Sequence, residues 1–308
     1  MKEMAMAKPR TFDDSSGIRD DAPELRRRLA DDGYLFFPGL LPSERVLQVR
    51  AEVLDILGAQ GWLAEGSDPA DARGGAIRTD RDASWWEGFS AVLALESFNR
   101  LAHEPALTGI MRRVLGDDLV VHPQKIARIT FPASAYPTPP HQDFIFIQGT
   151  ADVLTSWIPL GDCPAELGGL RVLSGSHREG LHGVTRAEGV GNLTSEAVDP
   201  DDSRWRGTDG FRCGDVLVFH SLTVHYAPPN EGDRLRLSVD YRFQSASDPV
   251  APGVLVPTAY ETGNVKGWWA LTKGWSTTEW CEVAHPIRIV RYSVDPLATP
   301  RSRLFDQG

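Results

Sequence analysis

From residue 118 onward this chain is made mostly of short β-rich runs set apart by Pro and Gly: 118–131, 142–148, 153–160, 169–173, 214–220 and 235–243. Runs of this kind, closed off by turn formers, read as strands. Many short strands in succession predict a sandwich or a jelly-roll barrel. The first third reads differently. Pro23 can open a short helix that Gly33 ends. Val46, Val49, Val53, Ile56 and Leu57 recur at helical spacing, which predicts an amphipathic helix over 43–57 stopped by Gly58. Two more helices are expected over 89–102 and 105–115, the second with Pro105 in its first turn and Gly116 just past its end. The expected class is therefore mainly β with flanking α-helices.

The ends and one internal stretch have their own character. Residues 1–20 are polar and uneven and read as a disordered tail. Residues 21–308 read as one domain, with the helical layer mostly in 21–116, the β core in about 117–245 and an aromatic-rich C-terminal flap in 246–308. In that flap Pro249, Pro252 and Pro257 break regular structure, and Trp268, Trp269, Trp275 and Trp280 follow. The stretch 64–82, rich in Gly, Asp and Ala, reads as a loop able to cover a site.

Charge and composition exclude several partners. The formal net charge is −10, whereas a nucleic-acid binder wants a basic stripe. The same charge disfavours a bulky polyanion such as a CoA thioester. No apolar run approaches a membrane span, and the first ten residues lack the apolar core of a signal peptide. Cys163, Cys213 and Cys281 show no paired spacing, so a reduced, cytoplasmic setting is expected. A small-molecule substrate is the remaining class, and the sequence carries no signal for an oligomeric state.

His141-Gln142-Asp143 is the segment that carries chemistry. Alternate residues of an extended segment point the same way, so His141 and Asp143 aim an imidazole and a carboxylate at one point. A second imidazole from a distant strand, His220 or His225, would complete a two-histidine, one-carboxylate face suited to ferrous iron with open positions for oxygen and a co-substrate. The run 236–243 reads as a strand with Arg236, Ser238 and Asp240 on one face and Leu237, Val239 and Tyr241 on the other. A guanidinium there, Arg236 or Arg234, could grip a carboxylate in two-pronged fashion. Buried charges need partners, so the Arg236 face should be the polar interior.

The chain resembles the phytanoyl-CoA dioxygenase-like branch of the iron(II)/2-oxoglutarate oxygenases. The resemblance rests on Gly33-Tyr34-Leu35, Pro38-Gly39-Leu40-Leu41, Pro140-His141-Gln142-Asp143-Phe144, Trp157-Ile158-Pro159-Leu160, Gly168-Gly169-Leu170-Arg171-Val172, Gly175-Ser176-His177, Gly214 through His220, and His225 through Asn230 to Arg236. It runs from about residue 30 to about 245. It implies a double-stranded β-helix (jelly-roll, cupin-like) core, mononuclear Fe(II), 2-oxoglutarate as co-substrate, and O2. It selects His225 over His220 as the distal ligand and Arg236 over Arg234 as the clamp. Gln142 and Trp157 match positions near the co-substrate; the competing readings are a structural hydrogen bond for Gln142 and a barrel-core aromatic for Trp157. A Ser that often stands two residues past the distal His is Ala227 here, and Thr130 or Gln148 is the expected replacement. Related halogenases keep the carboxylate position small to admit chloride; Asp143 argues for an oxidation that needs no halide.

Candidate substrate contacts are Trp268, Trp269, Trp275 and Phe144. For the tryptophans the competing reading is a flap that seals the helical layer, and Trp85-Trp86 carries the same two readings. His177 and His182 read as surface positions. The expected function is hydroxylation of an aliphatic carbon of a mid-sized apolar or amphiphilic metabolite, of the kind met in secondary metabolism, with release of succinate and CO2. Three alternatives stand beside it: desaturation, epoxidation or cyclisation with the same cofactors; a 2-oxoglutarate-independent cupin-like metalloenzyme, which would not need Arg236; and a non-catalytic small-molecule binder.

Overall fold

The computed structural model describes residues 8–134, 138–196 and 198–290. Six strands form one sheet: β2 (Tyr34–Phe37), β3 (Leu119–Val121), β4 (Ile126–Thr130), β6 (Leu154–Pro159), β9 (Val216–His220) and β11 (Arg236–Ser245). Its order is β2-β9-β6-β11-β3, with β4 pairing β11 alongside β3. Five strands form the other: β1 (Arg10–Thr11), β5 (Thr138–His141), β7 (Arg171–Leu173), β8 (Trp205–Gly207) and β10 (His225–Ala227), in the order β1-β8-β7-β10-β5. Val172 and Ala227 of the second sheet pack in one apolar cluster with Trp157, Leu217 and Phe219 of the first. The sheets therefore lie face to face, in a jelly roll whose sheets are not closed.

Strand β11 shows why the layers sort as they do. Leu237, Val239, Tyr241 and Phe243 join the large core shared with the helices, while Arg236, Ser238, Asp240, Arg242 and Gln244 occupy the other face. Slipping the register by one residue would turn three charges into the apolar core, so the period-two pattern fixes which face looks inward. The helical layer comprises α1 (Ala22–Asp32), α2 (Ser43–Ala59), α3 (Ala83–Leu93), α4 (Glu96–Leu101) and α5 (Pro105–Leu115). α1 starts where Asp21 accepts from the Glu24 N–H at 3.0 Å and stops at Gly33, whose φ of 78° is left-handed. Among the described residues no helix is long and apolar enough to cross a membrane.

Four expectations are corrected. Residues 8–20 are not a tail: β1 pairs parallel with β8, and Phe12 is buried against Tyr34, Phe36 and Phe211. The β1–β8 ladder, the bond from Ser15 N to Phe36 O and the Phe12 anchor together hold this short segment, and residues 1–7 lie outside the described part. The run 118–131 is two strands, because Pro123 cannot donate to a ladder. The run 142–148 is not a strand; Phe144–Ile147 is a helical turn, and a short apolar run does not reveal its own period. The helix expected over 89–102 is α3 and α4, parted at Ala94 and Leu95.

The C-terminal flap seals the helical layer, and its last residues, 291–308, lie outside the described part. Trp275 Nε1 donates to Ala94 O at 2.7 Å, and Trp280 Nε1 to Glu96 Oε1 at 3.0 Å. Lys125, 1% exposed, donates to Trp280 O at 2.7 Å, and burial pushes its ammonium down to about 7. The unfolded chain keeps that group charged up to about 10.4. Between these values the unfolded state binds the extra proton, so raising the pH favours the folded state. The stability of wild type relative to Lys125→Met should therefore rise from about pH 7 to about pH 10. Urea unfolding of both proteins across that range is the measurement, and a flat difference would contradict the buried-lysine account.

Candidate metal centre

Strands β5 and β10 are neighbours, and their register sets His141 directly opposite His225. Asp143 lies two residues past His141, at the start of the helical turn, with φ −60° and ψ −29°. That turn brings its carboxylate back to the imidazoles. His141 Nε2 and His225 Nε2 are each 3.8 Å from Asp143 Oδ1, and the three donor atoms lie within 4.8 Å of one another. Among the described residues this is the group of His, Cys, Asp and Glu side chains placed to hold a metal ion.

The surroundings prepare these side chains for that task. His141 Nδ1 donates to Pro139 O at 2.8 Å, and His225 Nδ1 to Thr223 O at 2.9 Å. Each bond fixes the tautomer and leaves the Nε2 lone pair free toward the shared point. Burial, and then each other's proximity, pushes His141 down to about 3, and burial also lowers His225. Both rings are thus neutral, as ligands must be. Burial opposes ionisation of Asp143, but the Arg242 guanidinium and a 2.7 Å hydrogen bond from Thr155 Oγ1 hold the carboxyl below its usual range. The donor set, two neutral imidazoles and one carboxylate on one side of a shared point, fits a mononuclear ferrous site.

His220 does not compete. It is fully buried in the wall, where its Nδ1 accepts from Leu222 N at 3.2 Å and its Nε2 faces Asp152 at 3.7 Å. We therefore expect His225→Ala to abolish iron binding and His220→Ala to retain most of it, as read by metal analysis of the reconstituted proteins. The reverse pattern would overturn the distal assignment.

Arg236 is 3% exposed and stands opposite Thr130 across the β4–β11 ladder. Its Nη2 donates to Thr130 Oγ1 at 2.7 Å and its Nη1 to Gly168 O, while its Nε is buried with no partner among the described residues. Arg234 is instead half exposed beside Asp233. Arg236, His141, His225 and Trp157 line one inner cavity. Trp157 is held there by Phe211, with ring centroids 4.6 Å apart. Ala227 also lines this cavity and offers no hydroxyl there, while Thr130 Oγ1 is bonded to Arg236.

Several assigned positions lie elsewhere. Gln142 points away from the cavity; its amide nitrogen donates to Gly180 O and Leu222 O, and its oxygen accepts from His182 N. It braces the loop behind the metal ligands. Gln148 faces an outer groove with Pro252 and Glu261. Phe144 packs with Ala151 and Leu222. Trp268 donates to Leu255 O, Trp275 is tied to the helical layer, and Trp269 is 71% exposed on the outside. The flap packs as a seal, and none of these tryptophans lines the inner cavity. His177 is buried against His220 rather than at the surface.

The aromatic wall comes from α3 instead. Trp85, Trp86 and Phe89 line a second cavity of about 840 Å³ of open space, together with Ile126, Arg128 and Thr130 of β4. Arg128, Thr138 and Arg236 line both cavities. Sequence reasoning also missed Arg242, whose Nη2 lies 3.2 Å from Asp143 Oδ1 with both side chains almost wholly buried. The signal was its place on the Arg236 face of β11.

The family model described as "Phytanoyl-CoA dioxygenase (PhyH)" matches residues 29–238. A 1-deoxypentalenic acid 11-beta-hydroxylase of Streptomyces exfoliatus is 29% identical over 265 residues, 79% of this chain and 88% of that protein. Its counterpart from Streptomyces arenae is 28% identical, over 80% of this chain and 89% of its own length. The crystal structure of the epimerase SnoN in complex with Fe3+, alpha ketoglutarate and nogalamycin RO is similar in fold, with a TM-score of 0.54 at 23% identity over 76% of this chain and 87% of that one. The family model spans most of the chain, from the end of α1 into β11, and includes His141, Asp143, His225 and Arg236; this protein belongs to the phytanoyl-CoA dioxygenase family.

Proposed function

We propose that this protein is an iron(II)/2-oxoglutarate-dependent dioxygenase that hydroxylates an aliphatic carbon of a small-molecule metabolite, with release of succinate and CO2. The observation that carries this reading is three metal donors within 4.8 Å of one another, two of which, His141 and His225, line the same inner cavity as the buried guanidinium of Arg236. His141, Asp143 and His225 would hold the iron, and Arg236 with Thr130 would hold the distal carboxylate of 2-oxoglutarate. When bound, metal and co-substrate supply the oxidising power.

The chain's own groups do the rest. The backbone carbonyls of Pro139 and Thr223 keep both imidazoles aimed. Thr155 and Arg242 keep Asp143 ionised and oriented. Trp157, Leu170 and Phe219 supply apolar wall to the inner cavity beside Arg128, Asp240 and Arg236, and contacts between charges are stronger beside such a wall than in water. The names of the Streptomyces relatives, hydroxylases of 1-deoxypentalenic acid, support a role in secondary metabolism on a compact apolar metabolite. Three unpaired thiols support a reduced, cytoplasmic setting.

The test is titration of the anaerobic, iron-loaded protein with 2-oxoglutarate, following the metal-to-ligand absorption band. A saturable band supports the reading. Its absence in wild type would exclude it and favour the 2-oxoglutarate-independent metalloenzyme.

A further inference from the structure

The larger cavity is aromatic along one wall and cationic at three points. Its lining holds Arg78, Arg128 and Arg236 against Asp80 as the lone acid, although the whole chain carries −10. Two of these cations are already engaged. Arg236 bonds Thr130 and Gly168, and Arg128 Nε donates to Asp240 Oδ2 at 2.8 Å. Arg78 has no hydrogen-bond or ion-pair partner among the described residues. It is half-buried and lies on the 64–82 loop that leads into α3. Asp80, on the same loop, accepts from Trp86 Nε1 through its backbone carbonyl at 3.1 Å and has one carboxylate oxygen sealed from solvent. It fixes Trp86 in the wall and makes the loop unwelcoming to a polyanion.

Position adds to charge. Arg128 and Arg236 belong to both cavities, whereas Arg78 belongs to the outer one alone. An anion held at Arg78 leaves the remainder of its molecule to reach inward along Trp85, Trp86 and Phe89. In such an apolar setting a guanidinium–carboxylate contact is stronger than in water.

Resting on the oxygenase reading above, we propose that the substrate is a monoanionic carboxylic acid with a compact hydrocarbon body. Arg78 is the specificity residue that grips its carboxylate, and Trp85, Trp86 and Phe89 hold the hydrocarbon. The reacting carbon is then remote from the carboxylate.

The experiment is calorimetric binding of 1-deoxypentalenic acid, abietic acid and their methyl esters to the anaerobic iron- and 2-oxoglutarate-loaded protein, in wild type, Arg78→Gln and Arg78→Lys. Wild type should bind at least one acid tighter than its ester. Arg78→Gln should lose roughly ten- to a hundredfold for the acid and little for the ester, and Arg78→Lys should recover part of the loss. A purely structural role would lower acid and ester together. An acid preference that survives in Arg78→Gln, no preference in wild type, or no saturable binding of either acid would overturn the proposal. The 2-oxoglutarate absorption band, recorded on the same samples, reports separately on the oxygenase reading, so failure of one is distinguishable from failure of the other.

Discussion

Arg236→Ala should weaken 2-oxoglutarate binding by about two to four decades while leaving iron binding in place. Removing one partner of a buried ion pair strands the other, at a cost of about 3–5 kcal/mol, which converts to that range of affinity. The site makes the full effect expected, because Arg236 is 3% exposed and the other guanidinium of its cavity, Arg128, is already paired with Asp240 at 2.8 Å. Arg234→Ala is the control. Its side chain is 54% exposed and sits 3.7 Å from Asp233, and contacts of that kind contribute about 0–1 kcal/mol. The measurement is the same anaerobic absorption titration. Equal affinity in wild type and Arg236→Ala would leave the reaction class standing and refute the clamp.

The second large effect is expected at Arg242. Arg242→Leu should destabilise the metal-free protein by about 3–5 kcal/mol, because it leaves the Asp143 carboxylate buried without its cation. Two further observations separate this cause from simple loss of packing. Adding Asp143→Asn to Arg242→Leu should remove part of the loss, since the stranded charge is gone. Excess iron(II) should also raise the variant's unfolding midpoint, as a ligand that binds only the folded state does. Denaturant unfolding with and without metal reads both. A double variant as unstable as the sum of the singles would mean that the Arg242–Asp143 contact is incidental.

The two predictions differ in how visible their residues were beforehand. His141 and Asp143 were legible as a His-x-Asp pair, although a helical turn rather than strand alternation aims Asp143 at the imidazoles; Arg236 was legible as a strand arginine, and its preference over Arg234 came from the resemblance. The choice of His225 over His220 needed the resemblance; in the structure it reduces to register, since His225 stands opposite His141 while His220 is one strand away in the other sheet. Arg242 was readable in part, being in phase with Arg236 and Asp240, but its partner is a cross-sheet contact that no local pattern encodes. The tryptophans were the least legible. Trp85-Trp86 and Trp268-Trp269 look alike as dipeptides, and only the packing of α3 against β4 decides which pair borders a cavity. Phe12 and the turn at Phe144–Ile147 were missed for a related reason: a short segment takes its conformation from what it packs against rather than from its own period.

The wall shared by the two cavities has a thermodynamic meaning. Arg128, Thr138 and Arg236 face both spaces, so a molecule that settles in one restrains side chains that the other must meet. Occupancy of the inner space and affinity in the outer one are then linked quantities. Linkage is reciprocal: whatever factor one ligand confers on the other, it receives in return. A partition of three side chains would in this way make two binding events report on each other, and bring the order in which ligands arrive under the control of the fold.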